Sequence, residues 1–344
     1  MSAGVAHLIA IGAQDKYITG DPQISFFSST FKRHANFSQS VEKQTIHGAV
    51  KNNSMSSVQF ERSGDLLGYV YFTMDDTTEA LDTQNWGSII DKVELLIGGA
   101  VVDTQDSVFT ENIAVDTFAQ NVSKSAQGTH PGVSARSFFY PLRFFFCEGP
   151  QCALPIVAMH HHNVEIRIYW GSAATGKNVE CFANYIYLDN EERGQVATRT
   201  HDMLVTQVQK NVASGTNVQE LTFNHPVKYL ASADTTTNGA LTSPSNRVKL
   251  SINGIDLSNY RWGKPHFIDV MHYYHTNFVA SPDFFLYPFC LSTSSLQPTG
   301  TLNFSRVTSA KIISESMNIE HPIYAVNYNI LRIQNGLAAL LYAN

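Results

Sequence analysis

The sequence predicts an all-β protein made of two similar β-sandwiches in tandem. Three observations carry this: short runs of alternating or β-rich residues, turn residues at short spacing between them, and motifs that recur in the same order in both halves. The opening GVAHLIAIGAQDKYITG places Val5, Leu8, Ile9 and Ile11 on a short apolar stripe before the turn residues Gly20-Asp21-Pro22. Such a stripe is too short to fold alone. Residues 1–20 are therefore read as an arm that packs on its own domain or binds a neighbouring subunit, an inner partner or a membrane surface. Strands are expected at Ser57 to Phe60, Leu67 to Met74, Lys92 to Ile97, Val164 to Trp170 and Tyr185 to Leu188, which place a first domain over residues 21–189. Asn190 to Thr198 is the strongest helix candidate. Asp189 or Asn190 can cap it, and Glu191 and Glu192 suit the positive end of its dipole. It marks a helical linker over residues 190–202. Arg247 to Ile252 and Tyr324 to Ile333 are strands of a second domain, residues 203–344. Gly98-Gly99, Gly128 to Pro131, Gly149-Pro150, Ser232 to Ser245 and Asn253-Gly254 supply turns.

The duplication is read from three pairs of motifs. VELLIGG (Val93 to Gly99) matches VKLSING (Val248 to Gly254) 155 positions later. Tyr140-Pro141 with Phe146-Cys147 matches Tyr287-Pro288-Phe289-Cys290, starting 147 positions on, and ANYIYL (Ala183 to Leu188) matches VNYNIL (Val326 to Leu331) at 143. The order is the same and the offsets shrink smoothly, as in a tandem pair whose second member has shorter connections. Unrelated strands of similar composition are the competing explanation.

Composition narrows the function. Asp and Glu number 29 against 23 Lys and Arg, a net charge of -6, and only 15% of residues are charged against about 25% in ordinary domains. With 43% hydrophobic residues and 21 Phe, the chain is neither a disordered tail nor a basic nucleic-acid binder. No apolar run approaches the ~18 residues of a membrane helix, and Val5 to Ala13 lacks the basic flank of a secretory signal. Cys147, Cys152, Cys181 and Cys290 fit neither a disulfide framework nor a zinc signature and are expected reduced and partly buried.

Catalytic patterns are missing. There is no G-x-S-x-G, P-loop or G-x-G-x-x-G, and the adjacent carboxylates Asp75-Asp76 and Glu191-Glu192 suit a turn and a first helical turn. His160-His161-His162 is the one metal-like cluster. On a strand only His160 and His162 share a face, so solvated histidines at a strand edge or turn compete with a cupin-like metal site. No metal or cofactor is expected. Sequons stand at Asn36, Asn52, Asn121 and Asn303, and they count only where glycosylating machinery meets the protein.

The residues resemble a known family. GAQDKYITGDPQISFFSSTFKRHANFS (Gly12 to Ser38) is similar to the amino-terminal signature of major capsid proteins of nucleocytoplasmic large DNA viruses. SGDLLGYVYF (Ser63 to Phe72), LPIVAMHHHNVEIRI (Leu154 to Ile168), YIYLDNEERGQVA (Tyr185 to Ala197), FNHPVKYL (Phe223 to Leu230), PTGTLNFSRV (Pro298 to Val307) and the final YAVNYNILRIQNGLAALLYAN also resemble family motifs, in order. The resemblance spans essentially the whole chain. It implies a double jelly roll, a homotrimer forming a pseudo-hexagonal capsomer, and lateral packing of capsomers into an icosahedral DNA virus shell. Partners implied are neighbouring capsomers, minor capsid proteins and an internal viral membrane touched by the arm, with no sequence-specific nucleic-acid binding. Assembly is expected in the host cytoplasm. A minor capsid or penton component and a carbohydrate-binding or cupin-type sandwich are the alternatives. Assembly residues expected from position in the chain are Leu8, Ile9, Tyr17, Phe26 and Phe27 in and beside the arm, and Asn303, Phe304 and Arg306 late in the chain. The intervals from Thr104 to Ala135, Gly171 to Lys177 and Ala231 to Ser245 are modest beside the long loop insertions of many family members, which predicts a comparatively smooth outer face.

Overall fold

A computed structural model of the protein describes residues 3–74, 86–121, 124, 139–233, 239–277 and 284–343. Asp75-Asp76 and the turn at Gly128 to Pro131 lie outside the described residues. The chain divides into two compact units, Met1–Asn36 and Phe37–Asn344. In the first, Ala3–Ile9 and Asp15–Thr19 are helical, and the Asp15 carboxylate accepts the Gly12 N–H at 2.7 Å. Residues 21–36, grouped from sequence with the first roll, carry no strand. Pro22 lacks a ladder donor, and Asp21 sits at φ 47°.

The described residues of the second unit form four antiparallel sheets in two rolls. In the first roll a front sheet has the order Phe37–Gln44, Val179–Leu188, Leu66–Met74, Phe139–Pro141, and a back sheet runs Ile46–His47, Met55–Gln59, Val164–Trp170, Ile90–Ile97, Ala100–Asp106. The second roll repeats this. Its front sheet is His201–Asn211, Ile323–Gln334, Pro226–Ser232, Phe285–Pro288, and its back sheet is Val218–Glu220, Ala310–Ser314, Arg247–Ile252, Ile255–Asp256. Alternation explains the packing. In Val164–Trp170 every second residue from Val164 is buried, and Ile166, Ile168 and Trp170 enter the first core with Leu95, Phe72 and Tyr185. Leu250, Ile312, Phe285 and Ala325 do the same in the second.

The two rolls also share an irregularity. An extra residue bulges the Leu66–Met74 strand between Leu67 and Val70, and another bulges Pro226–Ser232 between Val227 and Tyr229. Matching the bulges makes Leu67 equivalent to Val227 and Val70 to Leu230, all four buried in their own cores. The sequence repeats can then be checked by register. VELLIGG and VKLSING agree residue for residue, with hairpins turning at Gly98-Gly99 and Asn253-Gly254, all four at positive φ. The ANYIYL match is in the right strands but one residue out: Ala183 pairs with Val70 and Ala325 with Leu230, so Ala183 corresponds to Ala325, not Val326. One residue in a strand reverses the face, and Val326 does point away from its core. The Tyr-Pro match is two residues out, because Tyr140 faces Phe72 and its equivalent, opposite Ser232, is Phe285.

Asn190–Thr198 is helical as expected, with the Asp189 side chain accepting the Asn190 N–H at 2.7 Å. The strands not marked in the sequence include Ala100–Asp106, Pro226–Ser232 and Ala310–Ser314, and also Phe37–Gln44 and His201–Asn211. The last two are front-sheet edges and rich in polar residues, and His201–Asn211 pairs with Ile323–Gln334 from His201↔Ile333 to Asn211↔Ile323.

Candidate assembly surfaces

Part of the contact between the rolls is made by a helical segment of the first, Phe109–Ile113 with Ala114–Thr117, laid on the outward face of the second roll's front sheet. Phe109, Ile113, Ala114 and Phe118 form one cluster with Tyr229, Ala231, Tyr324, Val326 and Leu286. Tyr229 donates its hydroxyl to Thr117 Oγ1 at 2.9 Å, and the rings of Phe109 and Tyr324 are 5.6 Å apart. Charge reinforces the seam. Asp106 accepts the Phe109 N–H (2.9 Å), the Tyr324 hydroxyl (2.8 Å) and the Lys210 ammonium (2.6 Å). Buried Arg143 holds the segment by donating to the Ala114 carbonyl at 2.9 Å, and it is paired with buried Glu148 at 3.1 Å. Buried Lys228 donates to the Thr293 carbonyl at 2.9 Å and lies over the Tyr328 ring, and burial brings its ammonium down to about 8.

His160 to His162 belong to the same seam. They lie in a turn against the carboxy-terminal hairpin: the His161 N–H donates to the Gly336 carbonyl at 3.0 Å, and His162 Nδ1 lies 3.1 Å from the Ala338 N–H and 2.9 Å from its carbonyl. His160 and His161 are exposed and His162 is half-buried. Among the described residues no three His, Cys, Asp or Glu side chains come together as metal ligands. The four cysteines are free, with Cys181 and Cys290 buried. Burial pushes the thiols of Cys147 and Cys181 up to about 12, far from the thiolate range of a nucleophile.

The expected assembly residues fall into two groups. Leu8, Ile9, Tyr17, Phe26 and Phe27 are all exposed, with Phe27 101% accessible. Phe304, in contrast, is buried against Phe223 and Phe289 in the second core, so its ring supports the fold and is not presented to a partner. Its neighbours Asn303 and Arg306 are exposed, and the Asn303 side chain caps the turn by accepting the Ser305 N–H at 3.0 Å. The sequon side chains of Asn52 and Asn121 likewise accept backbone N–H groups, from Thr175 and Lys124.

Sequence reasoning missed a further exposed surface, the outward face of the first roll's front sheet. Tyr71 stacks on Phe182 (5.5 Å between centroids) and meets Phe139 edge-on at 6.0 Å, with Tyr69 beside it. The signal was present as alternation in LGYVYFTM, whose second set of residues is also aromatic.

Known proteins resemble this architecture closely. A family model described as major capsid protein N-terminus matches residues 25–189, and one described as large eukaryotic DNA virus major capsid protein matches residues 192–339. The major capsid protein of Pyramimonas orientalis virus is 30% identical, and that of Paramecium bursaria Chlorella virus 1 (PBCV-1) 29%, each over the full length of both chains. Among solved structures, the PBCV-1 protein VP54, fitted into a reconstruction of the virophage Sputnik, superposes with a TM-score of 0.76 at 25% identity, covering 93% of this chain and all of the other. The Faustovirus major capsid protein shares the fold at a TM-score of 0.60 and 12% identity, with 94% of each chain covered.

Proposed function

Because the chain belongs to the major capsid proteins of large eukaryotic DNA viruses, a structural component of the virion capsid with a double jelly-roll fold and not an enzyme, we propose that it acts as a homotrimer. The observation that supports this is the repeat itself: two rolls with the same sheet order and the same bulge. Three copies present six nearly equivalent faces, so one gene product can pack hexagonally around a double-stranded DNA genome. Interface burial is the mechanism. A contact of the obligate kind buries more than roughly 2,000 Å², and an isolated subunit is correspondingly less stable than its trimer.

The exposed Leu8, Ile9, Tyr17, Phe26 and Phe27 are the amino-terminal contribution to assembly, reaching a neighbouring capsomer, a minor capsid protein or an internal viral membrane. Asn303 and Arg306 contribute a late contact. Assembly takes place in the host cytoplasm.

Mass photometry of the purified protein tests the trimer. A stable monomer at micromolar concentration would remove it. Deletion of Met1 to Gly20 should abolish shell assembly; shells formed normally without those residues would remove the arm from the mechanism.

A further inference from the structure

We infer that the outward face of the first roll's front sheet is the docking site for the helical segment 263–275 of a second copy of this chain, repeating between copies the contact that joins the two rolls within one. The inference rests on the trimer reading above and specifies which surfaces meet.

The bulge equivalence identifies the face. Tyr71 pairs with Phe182 as Ala231 pairs with Tyr324, and Val41 pairs with Asn184 as Val208 pairs with Val326. Tyr69, Tyr71, Phe182, Val41 and Lys43 are therefore the counterparts of Tyr229, Ala231, Tyr324, Val208 and Lys210. In the second roll Tyr229, Ala231 and Tyr324 are wholly or almost wholly buried under the segment 109–118, with Val208 packed against the same cluster. Their first-roll counterparts are open: Tyr69 is 45% and Val41 44% exposed, while Tyr71 and Phe182 are half-buried. Lys210 reaches Asp106 at the base of the covering segment, whereas Lys43 pairs with Glu180 on its own sheet.

The covering element has a counterpart too. In the first roll the segment follows the hairpin turning at Gly98-Gly99; in the second, Gly263–Val270 and Met271–His275 follow the hairpin turning at Asn253-Gly254. Phe267, Ile268 and His272 are buried in its own roll, but Tyr273 and Tyr274 stand 79% and 71% exposed, with Val270 beside them. Among the described residues, an aromatic face without a cover and a covering segment with exposed tyrosines thus occur in one chain at equivalent places. Large rigid aromatics with little charge are the side chains of interface cores. Because the two features sit on different rolls, a head-to-tail contact satisfies both, and such a contact closes as a ring when the rotation allows.

Photocross-linking tests this. Tyr71 is replaced by p-benzoylphenylalanine in protein assembled from isotopically light and heavy copies, with Phe182 replaced in a second preparation. Light-to-heavy cross-links into peptides spanning residues 263–275 are expected from both, and Tyr274→Glu should weaken the trimer at least tenfold on dilution while leaving the circular dichroism spectrum unchanged. A wild-type protein that is monomeric defeats the trimer reading and this inference with it. Trimers whose cross-links fall in another segment, or only within one chain, defeat this inference alone.

Discussion

Asp103, on Ala100–Asp106 at the edge of the first roll's back sheet, accepts the backbone N–H of Val208, on His201–Asn211 at the edge of the second roll's front sheet, at 2.8 Å. It is a buried carboxyl that also receives Gln105 Nε2 at 2.8 Å and the Thr104 N–H at 3.0 Å. Burial pushes its pKa up to about 7 against the pull of those donors.

The folded value lies above the ordinary carboxyl value of 3.8. Between those pH values the folded state holds a proton that the unfolded state has lost, so the contribution is full below about pH 4 and disappears as pH rises through about 7. Asp103→Asn should remove that slope. Urea unfolding at pH 5 and pH 8 is the measurement: relative to the variant, wild type loses stability at pH 8. Parallel pH profiles for the two proteins would contradict the assignment. The comparison with the variant matters because His272, which burial lowers to about 4, gives an opposite slope: its contribution is lost as pH falls from 6.5 towards 4.

Gly98 and Gly99 form one turn but should not respond alike. Both have positive φ, 60° and 82°, so alanine at either costs about 1–2 kcal/mol in backbone strain. At Gly98 the added Cβ would also lie 2.5 Å from His162 Nδ1, whereas nothing lies within 4 Å at Gly99. Gly98→Ala should therefore destabilise more than Gly99→Ala in urea titration and should loosen the hairpin that His162 holds. Equal losses would show that the ring moves aside freely.

Lys228 sits at the second bulge, 3% exposed. Burial lowers its pKa from 10.5 to about 8, so it opposes folding near neutral pH, and that cost is relieved as pH rises from about 8 to 10.5. Lys228→Met keeps the volume and removes the charge, and should be neutral or stabilising. Lys228→Ala leaves a cavity and should cost about 2–4 kcal/mol. Thermal unfolding ranks the three proteins; a methionine variant as unstable as the alanine one would show that the Thr293 hydrogen bond dominates.

Arg143 and Glu148 should fail separately. Both are buried and paired at 3.1 Å, and removal of one partner from such a pair costs about 3–5 kcal/mol because the other charge is stranded. Glu148→Gln should be destabilising, and hydrogen exchange should rise most at the segment 109–118, which Arg143 holds through Ala114. Exchange that rises uniformly instead would mean that the pair does not act on that segment in particular.

Much of the architecture was legible because it is local. Val164–Trp170 and Arg247–Ile252 alternate cleanly and were placed to the residue, as was the helix Asn190–Thr198, whose cap, open in the sequence between Asp189 and Asn190, is Asp189. The hairpins announced themselves through Gly98-Gly99 and Asn253-Gly254, since positive φ is a property of a few residue types. Phe37–Gln44 and His201–Asn211 gave no such signal: both are edge strands rich in polar residues, and neither alternates apolar with polar cleanly.

What the sequence by itself determined was the fold class, the duplication and, through its ordered motifs, the family. Register, burial and the roles of single residues were decided only in three dimensions. Ala183 matches Val326 in the sequence but Ala325 in the sheet, because the sheet aligns residues by their cross-strand partners while a sequence comparison aligns them by residue type. Tyr69 and Tyr229 occupy one position in two rolls; the first is open and the second buried, because only the second has the segment 109–118 laid over it within its own chain. A side chain's identity sets what it can contact, and the distant segment that folding brings to it sets whether that contact is already made.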